Sequence, residues 1–177
     1  MWVPKKLLIY TMNYDPNIHH RRSIRLKGFD YSNSGYYFIT VCCQDKRKLW
    51  GVIENDQMFL NDAGKMVESV WSELPKRFPK MVLHNYVIMP HHFHAIIELS
   101  CGDNSTNISE IIDAFKSITT VEYIHGVKAC GWSPFKGKVW QRNYWEHIIR
   151  SDDELFDISE YIIYNPVKWR QDDLFES

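Results

Sequence analysis

The sequence of 177 residues lacks a long apolar run, and no stretch approaches the ~18 consecutive apolar residues of a membrane span. It also lacks a CxxC pair, because its cysteines stand at positions 42, 43, 101 and 130. Cysteines with this spacing are typical of reduced thiols, so we expect a cytoplasmic protein. The segment Lys5-Lys6-Leu7-Leu8-Ile9 is too short for a signal peptide and has no small-residue cleavage site.

A strong net charge is absent too, since the formal value is −1, but the charges are unevenly distributed. Residues 1–30 and 128–150 are mainly basic, and the tail from Asp152 is acidic. Basic segments interleaved with Tyr, Trp and His suit single-stranded nucleic acid, which offers phosphates and exposed bases together. For any one residue, a solvated surface charge is the simpler interpretation. The length fits one domain, which we place at residues 21–177 behind an irregular arm at 1–20.

Strand-like and helix-like patterns together predict an α+β fold with an antiparallel sheet and helices packed on one face. A first helix is capped by Asn61 or Asp62 and closed by Pro75. A second helix starts near Ser109, and we expect Gly126 and residues 131–137 to form a connector. The expected strands are 36–43, 49–53, 57–60, 82–89 and 92–99, with residues 139–150 partly strand.

Two histidines share one predicted strand in the stretch Val87-Ile88-Met89-Pro90-His91-His92-Phe93-His94. A tight Pro90-His91 corner separates this strand from the one before it. Since side chains alternate faces along a strand, His92 and His94 point the same way while Phe93 points into the core. Two imidazoles about 7 Å apart on one face can close on a metal ion. A histidine pair alone is a weak signal, because core histidines or a structural zinc pair give the same pattern.

The last predicted helix begins at a capping box, in which Ser151 accepts from a backbone N–H and Glu154 reaches back. Pro166 disfavours helical geometry at Asn165, so the helix should end there. Tyr161 and Asn165 lie four residues apart and therefore share a face. A phenol and an amide then project together from a helix end, which suits a group bound between them. The alternatives are a packed tyrosine and a helix-stop asparagine.

Three segments together carry a likeness to a known family. They are residues 87–94, residues 140–150 (Trp140-Gln141-Arg142-Asn143-Tyr144-Trp145-Glu146-His147-Ile148-Ile149-Arg150) and Tyr161-Ile162-Ile163-Tyr164-Asn165-Pro166. In this order they resemble the single-tyrosine HUH transposases, above all the REP-associated tyrosine transposases. The likeness runs from about Arg21 to Asp173. It implies a ferredoxin-like palm with a central HUH strand, and DNA transposition by metal-dependent cleavage and rejoining of single-stranded DNA.

The resemblance also implies individual roles. His92 and His94 are similar to the metal-binding histidines, Tyr161 to the nucleophile, and Asn165 to the polar residue that completes the metal site. Tyr164 remains a competitor for the nucleophile. Where relatives often have Asn, this chain has His91, which we expect to face away from the site, although it could compete for metal.

The implied chemistry is consistent with these residue types. Cleaving a phosphodiester without water needs a nucleophile and neutralisation of charge at the phosphate. A tyrosine hydroxyl with a free pKa of ~10 needs help to become phenolate-like. The expected cofactor is Mg²⁺ or Mn²⁺, and two histidines favour Mn²⁺. The product would be a 5′-phosphotyrosine and a free 3′-hydroxyl, which a later step can rejoin.

The expected partner is single-stranded DNA that carries a hairpin. The candidate DNA contacts are Arg21, Arg22, Arg25, Lys116 and Arg142, with Lys116 as well explained by a solvated lysine. Glu146 and His147 are expected in a supporting role, such as hydrogen bonding behind the ligands. A homodimer is left open. Two other functions fit the same residues: a nucleic-acid-binding regulator without catalysis, and a water-using metal nuclease in which Tyr161 is structural.

Overall fold

The computed structural model of the protein describes residues 34–100 and 107–169. The predicted arm at 1–20 and the candidate DNA contacts Arg21, Arg22 and Arg25 lie outside these residues. Within the described residues, no helix is long and apolar enough to cross a membrane.

The elements are β1 (Gly35–Cys42), β2 (Gly51–Glu54), β3 (Gln57–Leu60), α1 (Asp62–Arg77), β4 (Met81–Met89), β5 (His92–Leu99), α2 (Ile108–Cys130), β6 (Trp145–Ile149) and α3 (Asp152–Ile163). Four antiparallel strands form the main sheet, in the spatial order β4-β5-β1-β6, and β2 and β3 form a separate hairpin. Without the hairpin, the order along the chain is β1-α1-β4-β5-α2-β6 followed by α3, with β6 beside β1 and β5 beside β4, as in ferredoxin-like folds. The predicted α+β class is confirmed.

The helices are divided between the two faces of the sheet, although the sequence placed them on one. The odd-numbered residues of β5, such as Phe93 and Ile97, pack in a large core with α1 and α2. Ile96 faces the other way and packs with Ile162 of α3 in a smaller cluster. Strand β5 is buried along almost its whole length, so both of its faces need a cover.

Two predicted helix boundaries are wrong. Pro75 lies inside α1, which ends at Arg77. A proline in the last turn removes one hydrogen bond, and the Phe78 N–H still closes the helix on the Leu74 carbonyl. Gly126 lies inside α2, where a Cβ atom would approach the ring of Trp132 to 2.1 Å. Glycine at position 126 therefore lets Trp132 pack against the helix. The helix ends instead at Gly131, which has the left-handed φ angle of 71°.

The aromatic core under β5 supports a stability prediction. Phe93 is fully buried, with ring centroids 4.7 Å from Trp71 and 5.1 Å from Phe115. Phe93→Ala should lower the free energy of unfolding by about 3–5 kcal/mol, because it removes buried area and leaves a cavity. Phe59→Ala is the matched control: this half-exposed ring on β3 should cost less than about 1 kcal/mol. Urea unfolding of both variants measures the difference, and equal losses would contradict this description of the core.

Candidate active site

His92 and His94 lie side by side on the face of β5 that α3 covers. Both imidazoles are buried, and their ring centroids are 4.5 Å apart. In the sheet register His94 lies opposite Thr40 of β1, and His92 lies opposite Cys42. The strand alternation predicted for this pair is therefore present, with Phe93 on the other face.

The Nδ1 atom of each histidine has a neighbour that orients the ring. The Nδ1 of His94 lies 2.8 Å from the Thr40 hydroxyl. The Nδ1 of His92 lies 3.1 Å from the Nδ1 of His91. His91 therefore does not face away from the site as expected. It occupies the two-residue turn between β4 and β5, where strand alternation does not set the direction of a side chain.

The environment keeps both site histidines neutral. Burial, followed by the neighbouring His94 and His91, holds the pKa of His92 well below its usual value, and Asn165 opposes this to a smaller extent. Burial, followed by His91, lowers the pKa of His94 to about 3. A neutral imidazole carries a lone pair, which is the form that binds a metal ion.

Helix α3 and the turn after it bring Tyr161 and Asn165 to the histidines. The Tyr161 hydroxyl lies 3.4 Å from Nε2 of His94, and the two ring centroids are 5.4 Å apart. Asn165 is buried and its amide interacts with His92. Its Oδ1 atom is buried without a hydrogen-bond partner among the described residues. The four residues implied by the family resemblance are thus gathered in one place.

The first turn of α3 is tied to β6 by a carboxylate. The Ser151 hydroxyl caps the helix by accepting from the Glu154 N–H. Glu154 does not return to the N-cap residue as predicted; it accepts from the Arg150 N–H at 2.7 Å and contacts Nε2 of His147 at 2.6 Å. His147 thus helps to hold the helix that carries Tyr161, and its ring stacks on Trp145.

This tie should make stability depend on pH. Burial alone would raise the pKa of Glu154, but the hydrogen bonds from Arg150 and His147 outweigh it and lower the pKa. A lowered folded-state pKa means that the stabilisation is complete above the usual value of about 4.3 and is lost as the pH falls through the folded value. Glu154→Gln should therefore lower stability at pH 7 by about 1 kcal/mol, with the difference from wild type shrinking below about pH 4.

Thermal unfolding across pH measures this difference. The control is Asp157→Asn, an exposed carboxylate of the same helix. A Glu154→Gln deficit that stays constant down to acid pH would show that the charge of Glu154 is not what holds α3.

Trp169 is a site neighbour that the sequence analysis missed. Its buried ring lies 4.9 Å from the ring of His91 and 6.0 Å from that of His92. The residue follows Asn165 by four positions. That spacing was the available signal, but a helix that ends before Pro166 gives no reason to place the two side chains on one face.

Three other residues predicted for the site, Lys116, Arg142 and Glu146, do not join the cluster around His92 and His94. The Lys116 ammonium donates to the carbonyls of Gln141, Arg142 and Asn143 at 3.1–3.3 Å, and burial lowers the pKa of Lys116 to about 8. These bonds hold the Lys116 ammonium against the loop at residues 141–143. The Arg142 side chain is exposed. Glu146 pairs with Ile39 of the large core, which places it on the sheet face opposite to His92 and His94.

A divalent metal ion fits the side chains of this site. His92 and His94 supply neutral nitrogens, and the buried Oδ1 atom of Asn165 supplies an oxygen. The described residues contain no group of three His, Cys, Asp or Glu side chains that could hold a metal. A donor set of two imidazoles and an amide would leave coordination positions open for a substrate.

Comparisons with known proteins give a family match. The chain matches the family described as "Transposase IS200 like" over residues 32–165. It is 40% identical to an uncharacterized protein of Haemophilus influenzae, over 93% of this chain and 98% of that one. It is 27% identical to the REP-associated tyrosine transposase of Escherichia coli, over 78% of this chain and 70% of that one.

One solved structure is also similar. It is a REP-associated tyrosine transposase bound to a REP hairpin, with a TM-score of 0.57 and 25% identity, covering 85% of this chain and 73% of that chain. The family match spans the whole described sheet together with His92, His94, Tyr161 and Asn165. This chain therefore belongs to the IS200-like transposase family.

Proposed function

We propose that this transposase cleaves and rejoins single-stranded DNA through a covalent 5′-phosphotyrosine on Tyr161, in a reaction that needs a divalent metal ion. The observation that carries the proposal is the position of the Tyr161 hydroxyl, 3.4 Å from Nε2 of His94. The Tyr161 phenol therefore lies beside the neutral imidazoles of His92 and His94 on β5. The related transposase solved with a REP hairpin supports a hairpin-bearing substrate.

In the cleavage step, the Tyr161 oxygen attacks the scissile phosphorus. A bond forms between that oxygen and phosphorus, and the bond from phosphorus to the 3′-oxygen breaks. The phenol releases its proton to solvent, and the departing 3′-oxygen takes up a proton. Because one phosphate ester replaces another, a 3′-hydroxyl can reverse the step and rejoin DNA. Helix α3 contributes by holding the phenol in position, which is a large part of such catalysis.

His92, His94 and Asn165 would hold the metal ion. When bound, a divalent ion neutralises charge on the phosphate and orients it for in-line attack. Thr40 and His91 contact the Nδ1 atoms of the two histidines, so both rings are held in fixed orientations toward the site. Tyr161 is more than a third exposed, so its side chain is open to an approaching DNA strand.

The metal assignment can be tested without DNA. Asn165→Ala should weaken Mn²⁺ binding by roughly 10-fold or more, because a coordinating oxygen is lost. Isothermal titration of the protein with Mn²⁺ measures the affinity. Asn143→Ala, an exposed asparagine, serves as the control and should bind Mn²⁺ like wild type. Equal affinity in the two variants would show that Asn165 is not a ligand.

The reaction is tested with end-labelled single strands and Mn²⁺. After denaturation, a covalent protein–DNA adduct supports the proposal, and it should disappear when EDTA removes the metal. Cleavage without an adduct would indicate a water-using nuclease. Binding with neither cleavage nor adduct would indicate a DNA-binding regulator.

A further inference from the structure

Three separate segments meet at one end of the sheet and carry five lysines between them. We call them the basic rim, which consists of Lys46, Lys48, Lys136, Lys138 and Lys168. The segments that carry them, 44–48, 134–142 and 165–169, contain a single carboxylate, Asp45. Of these three segments, only residues 134–142 belong to a stretch that is basic in the sequence pattern, 128–150, because the other two are distant in the chain.

Hydrogen bonds and ring contacts hold the three segments together. The Gln44 N–H donates to the Val139 carbonyl at 2.8 Å, and the Arg47 guanidinium donates to the Pro134 carbonyl at 2.6 Å. These bonds join the first two segments. Lys48 Nζ lies 6.0 Å from the centroid of the Trp169 ring, which adds the turn after α3.

The basic rim begins at the histidine pair. Cys42 is the register partner of His92, and its carbonyl accepts from the Gln141 N–H at 2.9 Å. The ring of Trp169, beside Lys48, has its centroid 4.9 Å from that of His91 and 6.0 Å from that of His92. A DNA strand with one phosphate at the histidine site would therefore reach the lysines of the basic rim within the next few nucleotides.

On the side of the site away from the basic rim, the exposed surface of α3 is negatively charged. The exposed surface of α3 carries carboxylates at positions 152, 153, 157 and 160. A polyanion is repelled along this surface and attracted over the basic rim. The acidic surface of α3 and the basic rim together favour a DNA strand that leaves Tyr161 over the basic rim.

An exposed aromatic ring adjoins the basic rim and favours a single strand over a duplex. Tyr164 is 49% exposed, and its carbonyl accepts from the Lys168 N–H at 3.1 Å. Aromatic rings combined with a basic path bind unpaired nucleic acid, because the ring stacks on a base while the cations follow the phosphates. A paired base inside a duplex does not offer a free face.

We propose that the basic rim is the path of the phosphate backbone of the single strand that passes through the Tyr161 site, a proposal that rests on the proposed function for its substrate. The test compares two triple variants with the same change in charge. The rim variant is Lys48→Gln, Lys136→Gln and Lys168→Gln, with one lysine from each segment. The control variant is Lys65→Gln, Lys76→Gln and Arg77→Gln, from exposed positions on α1.

Fluorescence anisotropy with a labelled oligothymidine, in EDTA at several salt concentrations, gives the slope of log K against log salt. Three lost phosphate contacts should reduce the magnitude of this slope by about 2 in the rim variant. The control variant should keep the wild-type slope. A rim variant with an unchanged slope would overturn the proposal, and so would an equal reduction in both variants, since that indicates the overall charge alone.

A blunt duplex supplies the remaining comparison. A smaller effect of the rim variant on the duplex supports a single-strand path, and a larger one overturns it. Because EDTA prevents cleavage, this result is independent of the adduct assay. A reduced rim slope without any adduct would leave the path standing and refute the phosphotyrosine reaction, and an adduct with an unchanged slope would do the reverse.

Discussion

Tyr161→Phe should eliminate the covalent DNA adduct, whereas Tyr164→Phe should retain it. The first substitution removes the only atom that can form the phosphate ester at this position, so adduct formation should fall by at least about 10³-fold. The Tyr161 hydroxyl lies against His94, while Tyr164 is in the turn after α3 and is about half exposed. Denaturing gels of protein incubated with labelled DNA and Mn²⁺ measure the adduct.

The Tyr164→Phe variant is a matched control for this experiment. It removes the same hydroxyl from a neighbouring residue and keeps the aromatic ring that we assign to base stacking. Folding should be unaffected in both variants, because both hydroxyls lie on partly exposed side chains. An adduct that survives in Tyr161→Phe and vanishes in Tyr164→Phe would reverse the assignment.

His94→Ala should abolish cleavage while single-strand binding survives. The variant removes one of the two imidazole nitrogens proposed to hold the metal ion, and most affinity for DNA comes from phosphate contacts elsewhere. A loss of at least about 10³-fold in cleavage rate is expected, by analogy with removal of other catalytic groups. The control is His125→Ala, an exposed histidine of α2.

Circular dichroism separates a catalytic defect from unfolding in this pair of variants. His94 is buried, so its removal also costs some stability, and the comparison belongs at a temperature where both proteins are folded. Normal cleavage by folded His94→Ala in Mg²⁺ or Mn²⁺ would show that the metal assignment is wrong.

The sequence predicted most of the sheet because its signals are local. The alternation around Phe93 identifies the face of β5 that packs in the large core. The short Pro90-His91 corner identifies the hairpin of β4 and β5. The gap between the expected strands 49–53 and 57–60 also contains the observed turn, where Asn55 and Asp56 have the positive φ angles of a hairpin turn. Tyr161 and Asn165 could be paired because a four-residue step places two side chains on one helix face.

The features that the sequence did not predict depend on contacts between distant segments. The side of the sheet on which α3 packs is set by Ile96 and Ile162, which lie far apart in the chain. The three carbonyls around Lys116 belong to a loop about 25 residues later, so periodicity along α2 could not reveal them. Trp169 meets His91 only because the turn after α3 folds back over the β4–β5 corner.

Identifying the amino acid that carries the DNA tests the central claim most directly. Wild-type protein is incubated with single-stranded DNA and Mn²⁺, denatured and digested, and the DNA-linked peptide is sequenced by mass spectrometry. We expect a 5′-phosphate of the DNA on Tyr161. DNA linked to Tyr164 or to any other residue, or cleavage that leaves no linked peptide, would contradict the proposed reaction.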